Sequence, residues 1–319
     1  MGSAQRSDGA APPPTGWRIW VLGARPRTLP AAVAPVLVGT AAAAGSSSAT
    51  APGQTVALRG ITPWIFLCAL GVAVFVQVAT NYANDYSDGK RGTDDPGSRV
   101  GPPRLVGNGL ATPSQVKRAV IVAFALTALC GLPLVILVQP WLILVGVASM
   151  AAGWFYTGGP SPYGYAGFGE VFVFVFFGLV ATVGSFYVQT ETVTWLPVVA
   201  GAAMGALATA LLVVNNLRDI PGDTASGKRT LAVRLGDQRT RWLYLALMVA
   251  PFVLLPVIAG AGGRPLAALG FVGVVLARQP VVAVLSGARG RDLIAVLAGT
   301  GRVQLVTGVL IAVGLFLSA

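Results

Sequence analysis

The sequence predicts an all-α, polytopic membrane protein with nine transmembrane helices. Three observations carry this reading. Of the 319 residues, 55% are hydrophobic and only 10% are charged, and the mean hydropathy is +0.73, values that exclude an ordinary soluble domain. The apolar residues run in nine stretches, near 27–45, 61–81, 118–138, 141–157, 168–189, 193–214, 242–262, 265–286 and 299–318. Most approach the ~20 residues a helix needs to cross the hydrocarbon core. When those stretches are threaded back and forth, the basic residues gather on one side.

Residues 1–16 are small, polar and proline-rich (Pro12-Pro13-Pro14) and read as a disordered tail, leaving 17–319 as a single transmembrane domain. Trp17 and Trp20, with Arg18 between them, suit a short interfacial helix. The first span carries Pro30 and Pro35, and the fourth is the shortest. Proline is tolerated where neighbouring helices re-satisfy the freed backbone groups. The 41 glycines, many inside predicted helices, imply close helix–helix packing. Cys68 and Cys130 both fall inside predicted spans and read as small apolar packing groups. Histidine is absent, which removes a His base and a His metal ligand.

With nine spans, all of the 22 basic residues except Arg59, Arg264 and Arg278 lie on the side of the N-terminal tail. The positive-inside rule makes that side cytoplasmic. The net charge of +11 is thus an orientation signal, joined by a site signal, and not a nucleic-acid-binding one.

Two acidic, asparagine-bearing clusters interrupt the apolar pattern on that side. The first reads Asn81-Tyr-Ala-Asn84-Asp85-Tyr-Ser-Asp88-Gly-Lys90-Arg91-Gly-Thr-Asp94-Asp95; the second reads Asn215-Asn216-Leu-Arg218-Asp219-Ile-Pro-Gly-Asp223, followed by Gly227-Lys228-Arg229-Thr230. Carboxylates at a membrane boundary are costly unless compensated, which makes them functional candidates. Four-residue spacing stacks Asn84 with Asp88, and Asn215 with Asp219, on one helix face. Pro221 and Gly222 are expected to end the second helix before Asp223. Facing clusters would form a cage of oxygen ligands (Asn84, Asp88, Asp94, Asn215, Asp219, Asp223) suited to Mg²⁺ bridging to a substrate phosphate. Lys90, Arg91, Arg104, Lys228 and Arg229 suit a diphosphate, and Asp88, Asp219 and Lys228 are the leading catalytic candidates. Long polar loops at about 84–116 and 216–240 would cap the site. The clusters follow the second and sixth spans, an offset of four that keeps direction and is compatible with two related halves.

These residues carry a family resemblance. Asn84-x-x-x-Asp88 and Asp219-x-x-x-Asp223 resemble the paired Asp-rich motifs of the UbiA superfamily of intramembrane prenyltransferases. Further similarity lies in Arg25–Pro35, Asn81–Asp95, Arg104–Gly109, Tyr156–Tyr165 and Leu211–Gly236, over most of the chain. Within the superfamily, these stretches look most like the bacterial branch that prenylates 1,4-dihydroxy-2-naphthoate in menaquinone biosynthesis. The resemblance implies nine helices around a central cavity open to the cytoplasm and to lipid, in a bacterial inner membrane. It implies Mg²⁺-dependent ionisation of a polyprenyl diphosphate, then attack by the naphthoate ring with loss of CO₂ to give demethylmenaquinol. One departure matters: the loop after the fourth span has Tyr156 but no basic residue, unlike hydroxybenzoate-type relatives. Tyr82 and Tyr156 are the expected acceptor or prenyl pocket residues, with Phe155, Phe172, Phe174, Phe176, Phe177 and Tyr187 as further lining. The competing readings are another aromatic or lipid acceptor, and a cation-coupled transporter that uses the carboxylates as ion sites.

Overall fold

The computed structural model describes residues 15–46, 58–92, 101 and 103–319. The tail residues 1–14, and with them most of the predicted disordered segment, lie outside the described residues, as do Asp94 and Asp95.

The described chain is all helix and connection. A short α1 (Trp17–Ala24) leads through a left-handed Arg25 into α2 (Pro30–Ala42). Then follow α3 (Pro63–Arg91), α4 (Pro113–Leu137), α5 (Leu142–Phe155), α6 (Gly169–Thr190), α7 (Trp195–Ala225), α8 (Leu231–Ala261), α9 (Pro265–Leu285) and α10 (Asp292–Leu317). Local signals set several ends. Pro30, Pro63 and Pro113 each stand in the first turn, where a missing N–H costs nothing. Thr112 and Gln115 form a reciprocal capping box at the start of α4. Gly92, in the left-handed region, closes α3.

Seven of these helices, α3, α4 and α6–α10, are long and apolar enough to cross a membrane; α2 and α5 are apolar but shorter, at 13 and 14 residues. At 1.5 Å per residue, each of the two covers only about 20 Å of a core of about 30 Å. Yet both link the same two ends of the bundle. At one end, the Gln77 amide of α3 donates to Thr28 Oγ1 just before α2, and Thr157 after α5 donates to Asn84 at 2.8 Å. At the other end, Ala44 after α2 accepts from Arg264, and Gln139 before α5 donates to Glu191 at 2.6 Å. We call these the near and far ends.

α7 is the most buried of the long helices and packs against α2, α6, α8 and α10. Its approach to α6 is set by glycine: a Cβ on Gly178 would meet the Gly205 Cα at 2.4 Å. The main apolar core follows α7 with Met204, Leu207, Val213 and Leu217, joined by Tyr244, Leu255, Ile311 and Leu315. A second core joins α1 to α3 and α4 around Tyr82, Leu105 and Val116.

Two sequence expectations are corrected here. The second acidic cluster is not a loop, since α7 continues through Pro221 and Gly222 to Ala225, and only five residues, 226–230, separate it from α8. The first cluster is helical as well, through Arg91, so its connection to α4 begins at Gly92 and not near residue 84. The polar ends of α3 and α7 are helical extensions of apolar spans. A helix satisfies its own backbone groups, and a polar helical end therefore needs no change of structure at the boundary.

Candidate active site

The near ends of α3 and α7 face one cavity of about 870 Å³. Its body is apolar, built from residues such as Ala31, Val36, Val72, Val76, Leu132, Val180 and Leu211, while its near end is polar. Asn84, Asp88, Asn215, Asp219 and Asp223 all line that end, with Arg25, Arg104, Arg218 and Lys228 among them.

On α3, Asn84 and Asp88 sit one turn apart on the cavity face. The Asn84 carbonyl accepts from the Thr157 hydroxyl at 2.8 Å. Asp88 is buried; its Oδ1 accepts from Lys228 Nζ at 3.2 Å and from the Tyr165 hydroxyl. Asp85, one residue round the helix from Asn84, points the other way. It accepts the Leu105 and Val106 N–H groups at 3.0 and 3.1 Å and thereby anchors the connection that carries Arg104. Asn81 is likewise spoken for, donating to Ala24 O at 2.9 Å and Thr28 Oγ1 at 3.1 Å.

On α7, the Asp219 carboxylate meets its sequence neighbour Arg218 side by side. Nε reaches Oδ1 and Nη2 reaches Oδ2, both at 2.7 Å. The same guanidinium donates to Asn215 Oδ1 at 2.9 Å. Arg218 is buried and lines the cavity. The sequence reading gives Arg218 no role, because the bases after Asp223 already suit a diphosphate. The signal that could have found it is an arginine directly beside an acidic motif residue, at a position that a long helix keeps indoors. Behind it, Asn216 donates to the buried Glu170 of α6 at 2.9 Å.

The other predicted residues divide. Arg104 and Lys228 line the polar end. Lys90 and Arg229 are exposed and are not among the lining residues, and the Arg229 side chain follows a backbone that is tied by its N–H to Tyr165 O at 2.9 Å. Arg91 is turned to the 156–168 connection, where it donates to the carbonyls of Thr157 and Gly159. Tyr82, expected in the pocket, is corrected: its hydroxyl donates to Trp20 O at 2.8 Å, and its ring packs edge-on to Trp20, so it fastens α1 to α3. Tyr156 does line the cavity, in an aromatic wall with Tyr163, Phe172 and Phe176; Tyr163 stacks on Phe172 with centroids 3.9 Å apart. Phe177 lines the cavity too, whereas Phe155 and Phe174 do not, and Tyr187 borders a second, smaller cavity. Burial, with Glu170 nearby, pushes the Tyr156 phenol well above its usual range, and burial raises that of Tyr163, so both remain neutral hydroxyls.

The donor set can be tested against Mg²⁺. Among the described residues, no three His, Cys, Asp or Glu side chains lie close enough to hold a metal by themselves. What lines the polar end is hard oxygen from Asn and Asp on two helices, with bases beside it. That fits Mg²⁺ held through one or two carboxylates and completed by substrate phosphates.

The family model described as the UbiA prenyltransferase family matches residues 32–286. The chain belongs to the UbiA prenyltransferase family. This UbiA-family membership makes the chain a prenyltransferase and replaces the transporter reading of its carboxylates. It is 51% identical over 293 residues to the 1,4-dihydroxy-2-naphthoate octaprenyltransferase of Mycobacterium tuberculosis, covering 92% of this chain and 95% of that protein. The enzyme of the same name from Escherichia coli is 38% identical over 242 residues, 74% of each chain. Among solved structures, the fold is similar to a UbiA homolog from Aeropyrum pernix K1 in apo form (TM-score 0.63, 15% identity, 90% of this chain and 97% of that one). It is also similar to a UbiA homolog from Archaeoglobus fulgidus bound to DMAPP and Mg²⁺ (TM-score 0.55, 14% identity, 92% and 99%).

Proposed function

We propose that the protein transfers a polyprenyl group from polyprenyl diphosphate to 1,4-dihydroxy-2-naphthoate, releasing diphosphate and CO₂ and giving demethylmenaquinol for menaquinone biosynthesis. The observation that carries the acceptor is the 51% identity over nearly the whole length of a relative named for that reaction. The cavity agrees, because a polar, basic end beside an apolar body suits a molecule with a charged head and a hydrocarbon tail.

Asn84, Asp88, Asn215, Asp219 and Asp223 would hold Mg²⁺, which when bound supplies positive charge to the departing diphosphate. Arg104, Arg218 and Lys228, which line the same polar end, would share that charge. The allylic C–O bond breaks, and its electron pair leaves with the diphosphate oxygen. The aromatic wall of Tyr156, Tyr163, Phe172 and Phe176 flanks the region where the allylic cation forms, with ring faces that favour positive charge and exclude water. The ring carbon that bears the carboxylate attacks. The bond to the carboxylate then breaks, its electrons restore the ring, and CO₂ departs.

The tail has a route out. A smaller apolar cavity of about 340 Å³, bordered by Trp141, Leu179 and Val183, shares Leu142, Val145, Val180 and Gly184 with the main one. The prenyl tail would pass from the apolar body past these shared residues and out between α5 and α6. We also take α2 and α5 as true spans, since both run between the near and far ends. That makes nine, with the near end on the cytoplasmic face of a bacterial inner membrane. The far-end bases support this orientation. Arg59 caps the α10 carbonyls of Phe316 at 2.8 Å and Arg264 that of Leu315 at 3.2 Å, so each has a helix terminus to neutralise.

The test is purified protein with Mg²⁺, a polyprenyl diphosphate and dihydroxynaphthoate. Mass spectrometry is expected to find a prenylated product lighter by one CO₂. A product from hydroxybenzoate and none from the naphthoate would overturn the acceptor.

A further inference from the structure

The connection from Tyr156 to Phe168 reads Tyr-Thr-Gly-Gly-Pro-Ser-Pro-Tyr-Gly-Tyr-Ala-Gly-Phe and carries no charge of its own. Nevertheless it sits against the most charged part of the cavity. Four interactions converge on one of its residues, Tyr165. The Lys228 ammonium lies over its ring, 4.5 Å from the centroid, and the Arg91 guanidinium lies 5.2 Å from the same centroid. Its hydroxyl donates to Asp88 Oδ1, the same oxygen that Lys228 reaches at 3.2 Å. Its carbonyl accepts the Arg229 N–H at 2.9 Å, which binds it to the α7–α8 connection. Arg91 further grips the start of the segment through the carbonyls of Thr157 and Gly159.

We propose that Tyr165 is a positioning residue for diphosphate binding: its ring seats the Lys228 ammonium beside Asp88, at the mouth where the diphosphate of the proposed reaction arrives. A lysine is a long, flexible chain that loses rotamer freedom when held. The aromatic face holds it by attraction between the cation and the ring, and this is strongest where water is excluded. The Lys228 side chain is only 10% exposed, so that condition is met. The hydroxyl bond to Asp88 fixes the plane of the ring, and the backbone bond to Arg229 sets its distance from Lys228. An uncharged connection thus borrows a base from another element instead of carrying one. The proposal rests on the functional reading above for the identity of the ligand.

The test measures binding, not turnover. Purified wild-type protein, Tyr165→Leu, Tyr165→Phe, Lys228→Ala and the Tyr165→Leu/Lys228→Ala double variant are titrated with farnesyl diphosphate and Mg²⁺, without acceptor. Thermal melting in detergent monitors folding. Tyr165→Leu is expected to raise Kd about tenfold, equivalent to about 1.4 kcal/mol, with unchanged melting. Tyr165→Phe, which keeps the ring, is expected to stay within about threefold of wild type. The double variant is expected to bind no more weakly than Lys228→Ala alone, because a seat has no effect once its occupant is gone. Additive losses in the double variant, or wild-type binding by Tyr165→Leu, would overturn the proposal while leaving the functional reading intact. A wild-type protein that binds no prenyl diphosphate would overturn both.

Discussion

The carboxylates of α3 and α7 look alike in sequence but are compensated in different ways. Asp219 meets partners on its own helix, Arg218 at the preceding position and Asn215 one turn back. Asp88 is met by residues from two other segments, Lys228 from the α7–α8 connection and Tyr165 from the α5–α6 connection. One carboxylate has its base on the same helix. The other gains its partners only once three separate stretches of chain have come together. The Arg218–Asp219 pair can form with its helix alone, whereas the Lys228–Asp88 pair forms only when separate parts of the near end have packed together.

The largest expected effect removes either side altogether. Asp88→Asn and Asp219→Asn keep shape but lose charge, and each is expected to reduce prenyl transfer to background, as is an excess of chelator. Full turnover in chelator, measured by product mass, would end the metal-dependent reading for both helices. Next comes the local pair. Arg218→Ala leaves Asp219 in a buried site without its bidentate partner, a loss on the order of 3–5 kcal/mol. It should lower the melting temperature in detergent, and Lys228→Ala, which leaves the buried Asp88 still held by the Tyr165 hydroxyl, should lower it less. Equal melting shifts in the two variants would erase the contrast between a helix-internal and an assembled half.

Lys228→Ala should act on substrate instead. Loss of one charge-assisted contact is worth roughly 1.5–3 kcal/mol, so KM for polyprenyl diphosphate is expected to rise about ten- to a hundredfold. KM for dihydroxynaphthoate should barely move. A selective rise in the acceptor KM would reassign this base to the naphthoate carboxylate. The smallest effects are predicted for Lys90→Ala and Arg229→Ala, whose side chains are exposed and stand outside the cavity lining. Each should change either KM by less than about twofold, on the scale of a screened surface charge. A tenfold loss would mean that the near end closes further over the substrate than its present geometry implies.

Much of this was legible in the chain. The apolar runs announce the helices, the asparagine–aspartate spacing announces the two acidic faces, and Lys228, Arg104 and Tyr156, candidates from sequence, all line the cavity. Where the reading failed, it failed at helix ends. Pro221 and Gly222 signalled a stop that α7 does not obey, because a single lost backbone bond near a terminus is small beside the packing of a long, buried helix. Tyr82 was assigned to the pocket from its place in the motif, but it lies two residues from Asn84 and therefore on another face of α3.

Composition and spacing along the chain were enough for the membrane character, the helical class and the shared face of Asn215 with Asp219. Each of these depends on composition or on spacing within one helix. Helix packing was needed to bring Lys228 to Asp88 and to set Lys228 and Arg91 both over the Tyr165 ring. Packing likewise turns Tyr82 of α3 against α1 and leaves Lys90 and Arg229 outside the cavity lining. Periodicity fixes which side chains share a helical face, but which faces meet depends on how α3, α7 and the uncharged connection between α5 and α6 pack together.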